Sequence, residues 1–164
     1  MVGPKGELKM GQEDLLRSAI IITALGLSLT SSAAESINST RSDEPLFQTL
    51  LPDLGDPSPE IAILHVDPNT HATQLLIRTP QGLHVRKHWH SANETHTMII
   101  GKATFGCEGN KVELEPGGFN YMPARMVHEA WTTPGSVVFI TVDGPWDVTW
   151  VEGPPTNADL IQSQ

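Results

Sequence analysis

From Ile61 to Val151 the chain is a succession of short runs rich in β-branched and apolar residues, each stopped by turn formers. The runs read IAILHV, TQLLIR, LHVRKHWH, THTMII, ATFGC, KVEL, GFNYM, VHEAW, SVVFITV and WDVTWV, ten within 91 residues. Between them stand Asp67-Pro68-Asn69, Pro80-Gln81-Gly82, Glu108-Gly109-Asn110 and Pro116-Gly117-Gly118. Strands of this length and spacing predict an antiparallel sandwich or barrel over residues 60–151. No stretch after Ile61 keeps a helical period for three turns, and no repeat of solenoid length occurs.

The pattern before Ile61 is different. Ala19 to Leu29, AIIITALGLSL, is continuously apolar or small, follows Lys5, Lys9 and Arg17, and leads to Ser32-Ala33-Ala34. It has the length of a signal-peptide core and is shorter than the roughly 20 residues that span a bilayer. Residues 1–34 are therefore expected to be a signal peptide cleaved after Ala34, with the mature chain secreted or periplasmic. Glu7, Glu13 and Asp14 offset the basic residues, so a retained anchor or a buried helix stay open as alternatives. Residues 35–59 read as a flexible leader and a loop broken by Pro52, Pro57 and Pro59. The tail over 152–164, GPPTNADLIQSQ from Gly153, is expected to be loosely held.

The net charge of −9 argues against nucleic acid and, once the signal is removed, against an anionic membrane as partner, because both demand a basic footprint. Cys107 is the single cysteine, so no disulfide within the chain is possible. Packing, a metal or oligomerisation must supply the stability.

Against this weakly charged background, KHWHSANETHTMIIG stands out, with three of seven histidines and a glutamate in fifteen positions. Residues two apart on a strand share a face, so His88 and His90 point together and can converge on one ion. Ser91-Ala92-Asn93 is turn-prone, and Glu94 then opens a neighbouring strand and returns a carboxylate to the same place. Two imidazoles and a carboxylate leave coordination positions open, a set associated with non-haem iron. His128 is the best candidate for a third imidazole, since it follows a turn containing Pro123 and begins a strand-like run. His65, His71 and His84 read more simply as hydrogen-bonded core or surface residues.

The spacings Gly82-x5-His88-x-His90-x3-Glu94-x6-Gly101 and Gly117-x5-Pro123-x4-His128 resemble the two motifs of the cupin family. The resemblance covers roughly residues 60–151 and implies an all-β, antiparallel jelly-roll barrel in a single domain. It also implies that His88, His90, Glu94 and His128 hold one divalent transition metal per chain. Copper or iron is expected first, with manganese, nickel or zinc as other candidates. In the second motif Arg125 occupies a position that is usually Gly, and Thr132 replaces the usual closing Asn.

Strand parity continued from the ligands places His84, Arg86, His96, Met98 and Ile100 toward the interior. His96 either orients a metal-bound water and relays protons or hydrogen-bonds a barrel carbonyl. Arg86 and Arg125 are candidates to position an anionic group, Arg125 with the alternative of pointing into solvent. Trp89, Trp131, Trp146 and Trp150 either stack on carbohydrate or fill a core or a dimer face, and a homodimer is expected. The resulting expectation is an exported metal-dependent oxidoreductase that uses dioxygen or peroxide on a small-molecule or carbohydrate substrate, extending to copper-dependent polysaccharide cleavage. The alternatives are a metal-dependent isomerase or lyase, and a module that binds metal or sugar without turnover.

Overall fold

Period-two alternation is plainest on Glu94–Ile100, where Glu94, His96 and Met98 are buried and the two threonines between them are only partly so. Alternation of this kind marks a strand with one face in a core. In the computed structural model the described residues are 39 and 46–161, all within the unit Asn38–Gln164. The expected signal peptide and most of the leader lie outside them.

Twelve strands occur among the described residues, in chain order β1 Gln48–Thr49, β2 Glu60–Val66, β3 Thr73–Thr79, β4 Gly82–Trp89, β5 Glu94–Ile100, β6 Ala103–Cys107, β7 Asn110–Leu114, β8 Phe119–Met122, β9 His128–Thr132, β10 Ser136–Val142, β11 Thr149–Trp150 and β12 Leu160–Ile161. All pairings are antiparallel. One sheet runs β1-β2-β3-β10-β5-β8, and the other runs β11-β4-β9-β6-β7 with β12 also on β4. This is an all-β, antiparallel two-sheet architecture, as the strand pattern predicts. Nine of the ten apolar runs become strands of nearly the expected length; in the tenth, WDVTWV, only Thr149–Trp150 pairs.

The inner faces of the two sheets meet in two apolar clusters. Met98, Ala103, Phe105, Leu114, Met122 and Ala130 form one, Leu75, Ile140 and Val142 the other, and Val138 packs against both. Full burial of side chains of this size contributes about 1.5–3 kcal/mol each.

Two bulges change which residues reach that interior. On β4 the pairing with β9 passes from Val85↔Ala130 to His88↔His128, three steps on one strand against two on the other. The extra residue lets Val85 and His88 both face inward, and it sends His84 and Arg86 to the outer side. On β5 the pairing with β10 jumps from Met98↔Val138 to Ile100↔Val137, and Ile100 ends 55% exposed. The inward placement expected for His84, Arg86 and Ile100 is corrected accordingly.

The C-terminal segment also departs from expectation. Leu160↔Leu83 and Ile161↔Gly82 add β12 to the free edge of β4. Just before it, Thr156 and Asp159 form a reciprocal capping box, and Arg86 Nη2 sits 2.8 Å from Asp159 Oδ2. The tail is tied to the barrel up to Ile161.

Candidate metal centre

The donors assemble because β4 and β9 place His88 and His128 directly opposite one another, with ring centroids 4.3 Å apart. His90, just past the end of β4, meets His88 edge to face at 5.0 Å. One ring nitrogen from each of the three lies within 4.8 Å of the others. Glu94 enters from the opposite sheet at the start of β5 and is 1% exposed.

Backbone carbonyls fix the tautomers. His88 Nδ1 donates to Arg86 O at 2.7 Å, His128 Nδ1 donates to Met126 O at 3.0 Å, and His90 Nδ1 donates to Asp147 O. With each proton held on Nδ1, each Nε2 is left with its lone pair for the interior, the usual way a protein orients metal-binding imidazoles.

The Glu94 carboxylate divides its two oxygens. Oε1 accepts from Trp146 Nε1 at 3.3 Å. Oε2 lies 3.0 Å from His90 Nε2 and 3.3 Å from His96 Nε2, close contacts that lack hydrogen-bond geometry, and it is buried without a partner. A lone pair on His90 Nε2 facing a carboxylate oxygen at 3.0 Å requires a cation between them, either a proton or a metal ion. Three imidazole nitrogens and one orphaned carboxylate oxygen are a donor set that fits a divalent transition metal.

The charges of the metal-free site follow from its burial. Loss of water pushes His88 down to about 3, helped by the neighbouring charge of His128. Burial likewise pushes His128 down to about 4, against the pull of its bond to Met126 O. Burial also opposes ionisation of Glu94, but His96 and His90 outweigh it and hold the carboxyl well below the usual range. For His90, burial favours the neutral ring, yet the carboxylate of Glu94 close beside it prevails and raises it.

His96 is buried beside this centre, 4.7 Å from the Phe105 ring, with Nδ1 2.8 Å from Asn120 Oδ1. Its side chain and those of the four donors line a cavity of about 280 Å³ between the sheets. Arg86 and Arg125 do not line it. Arg86 is engaged with Asp159 and Thr156 on the outer side. Arg125 is exposed, has φ 64°, and touches the site only through its backbone N–H, which donates to His90 O at 2.8 Å. His84 stacks flat on Trp131 at 4.7 Å and contacts Glu129, again outside.

Two contributors, Asn120 and Asp147, escaped the sequence reading. Asn120 was signalled only as a polar residue in the run GFNYM, directly across from His96 in register. Trp146 and Trp150 do belong to the cavity wall, and Trp146 also binds Glu94. Asp147 acts through its carbonyl, a group every residue has, so no sequence signal could single it out.

Residues 72–164 match the family described as the AraC-like ligand binding domain. No curated protein matches the chain in sequence. Among solved structures it is similar to KdgF from Halomonas sp., with a TM-score of 0.56 and 19% identity over 66% of this chain and 94% of that one. It is similar to an RmlC-like cupin from Shewanella frigidimarina NCIMB 400, with a TM-score of 0.55 and 15% identity over 65% and 90% of the two chains. It is also similar to an acetylacetone dioxygenase from Acinetobacter johnsonii, with a TM-score of 0.56 and 13% identity over 89% of each. At these identities the likeness is one of fold. The His-x-His hairpin, the opposed His128 strand, the two-sheet barrel and the match over 72–164 together place this chain in the cupin family.

Proposed function

We propose that the protein is a metal-dependent cupin oxidoreductase that acts on a small organic molecule with dioxygen or peroxide as oxidant. The observation that carries this reading is the orphaned Glu94 Oε2, which lies beside the imidazoles of His88, His90 and His128 in a largely apolar cavity. When bound, a redox-active divalent ion such as iron or copper supplies Lewis acidity and one-electron chemistry, with coordination positions beyond the four protein donors. His88, His90 and His128 hold it through Nε2, and the carbonyls of Arg86, Asp147 and Met126 keep the rings in place. His96 Nε2, 3.3 Å from Glu94 Oε2 and steadied by Asn120, is placed to hold or pass a proton at the substrate. A cavity of about 280 Å³ favours a small molecule over a polysaccharide. The similarity to a dioxygenase supports the oxidative chemistry, and the apolar stretch Ala19 to Leu29 supports export of the mature chain.

The family match to a ligand-binding domain favours a second reading, a module that captures a small molecule without turnover. Elemental analysis and electron paramagnetic resonance of residues 35–164, purified without added metal, followed by oxygen-uptake screening, decide between them. About one iron or copper per chain and consumption of oxygen with a small organic substrate are expected. Tightly held zinc with no oxygen uptake would favour the binding module, and a chain that takes up no metal would remove the metal centre itself.

A further inference from the structure

The segments that carry and orient the donors meet at one side chain that is not itself a donor. Asn93 lies in the turn between β4 and β5, directly before Glu94. Its Oδ1 accepts from the N–H of Ala124 at 2.9 Å, and its Nδ2 donates to Asp143 Oδ2. Its backbone N–H donates to Asp143 Oδ1 at 2.9 Å, and its carbonyl accepts from the N–H of Asp143 at 3.2 Å. The partners fix which way the amide points, because the Ala124 N–H needs an acceptor and the Asp143 carboxylate needs a donor.

Both partners lead to the donors. Ala124 belongs to the turn before β9; there the N–H of Arg125 donates to His90 O, and Met126 O accepts from His128 Nδ1. Asp143 opens the irregular segment between β10 and β11. Further along that segment, Trp146 Nε1 donates to Glu94 Oε1, while Asp147 accepts from the Ser91 N–H through Oδ1 at 2.8 Å and from His90 Nδ1 through its carbonyl. Residues 123–127 and 143–148 lie outside the strands, so no β-ladder sets their position against the hairpin. At Gly144 the two chains come so close that a Cβ would stand 3.1 Å from Ala92 Cβ. A carboxamide meets the demands on both sides of residue 93. A carboxylate would turn its second oxygen onto Asp143, and a serine has no second arm.

Resting on the metal centre proposed above, we infer that Asn93 is a positioning residue of that centre. It binds no metal. Its carboxamide, held between Ala124 and Asp143, sets the turn that steadies His128 and the segment that steadies His90 and Glu94 at the distances one ion requires.

The test uses the protein expressed from the full 164-residue sequence and loaded with cobalt(II), whose visible absorption reports its coordination. Cobalt affinity is read by competition with a chelator, and the stability of the metal-free protein by urea denaturation. Asn93→Asp sets two carboxylates against each other and should weaken cobalt binding about tenfold or more, with an altered spectrum. The added negative charge alone would strengthen cation binding, so a loss reports displaced donors. Asn93→Ala, which adds no charge, should weaken cobalt in the same direction. Combining Asn93→Asp with Asp143→Asn exchanges the two groups, keeps every hydrogen bond between them and the net charge, and should restore wild-type affinity and spectrum. A merely structural role would lower metal-free stability and leave the affinity and spectrum of folded protein unchanged in Asn93→Ala and Asn93→Asp; that result, or an exchange that fails to restore them, overturns the inference while the metal centre stands. If Asn93→Asp does not fold, Asn93→Ala and the exchange decide by the same criteria. Wild-type protein that takes up no cobalt overturns the metal centre, and the inference with it.

Discussion

Acidifying the metal-free protein should destabilise it through two histidines. His88 and His128 are buried and titrate at about 3 and about 4, against 6.5 in an unfolded chain. Well above pH 6.5 neither state carries these protons, and the two sites add no pH dependence. Between 6.5 and about 4 the unfolded chain gains both protons and the folded chain gains neither, so stability falls as pH falls. At pH 5 each site costs roughly 2 kcal/mol, about 4 kcal/mol for both, from about 1.4 kcal/mol per pH unit over about 1.5 units. His90 acts in the opposite sense. Its raised folded value contributes stability that is fully present below 6.5 and is lost as pH rises through that value, so the two-site sum is an upper bound. Glu94, held low, contributes stability that is present above 4.5 and disappears as pH falls below it, which steepens the loss at the acid end. Urea denaturation of stripped protein at pH 7.5 and 5.0 measures the difference, and proton magnetic resonance of the imidazoles assigns it. Equal stability at the two values, with His88 and His128 titrating near 6.5, would refute the neutral buried pair.

Trp146→Phe removes the one hydrogen bond to Glu94 Oε1 while keeping an aromatic wall. It should cost about 1–3 kcal/mol in denaturant and weaken metal binding severalfold in a competition titration; unchanged affinity would show that Trp146 does not hold the carboxylate. Deleting residues 157–164 strips β12 from β4 and removes the partner of Arg86, and it should lower the melting temperature by several degrees and speed hydrogen exchange around Gly82 and Leu83. Gly101→Ala forces a side chain onto φ 72°, with its Cβ 2.9 Å from Ser136 Cα, and a loss of about 1–3 kcal/mol is expected in the same denaturation assay.

The strands were legible because their alternation and their turn residues agree. Asp67-Pro68-Asn69, for example, turns with Asp67 Oδ1 accepting from the N–H groups of Asn69 and Thr70, as Asp does in such loops. The convergence of His88, His90 and Glu94 was legible for a related reason, because a hairpin needs only parity and a short turn to bring them together. The misplacements of His84, Arg86 and Ile100 have a single physical source. Parity is a local rule, and one extra residue in a strand resets it without leaving any mark in composition. At β4 the bulge falls inside LHVRKHWH, where no Gly or Pro announces it. The tail misled differently: its polar residues read as loose, whereas a capping box and the Arg86–Asp159 pair fasten it.

That bulge also bears on the chemistry. Had β4 kept regular pairing back from His88, Arg86 would have faced the cavity, and the site would have been suited to dianionic ligands such as phosphates or dicarboxylates. With three residues of β4 set against two of β9, the guanidinium instead fastens the C-terminal segment from outside, and Val85 takes the inner position. Arg125 is excluded separately, by its exposed position on the turn before His128. Among the described residues the wall is thus left with Glu94 as its one acidic side chain and with no lysine or arginine, and a one-residue irregularity accounts for the absence of Arg86 from it.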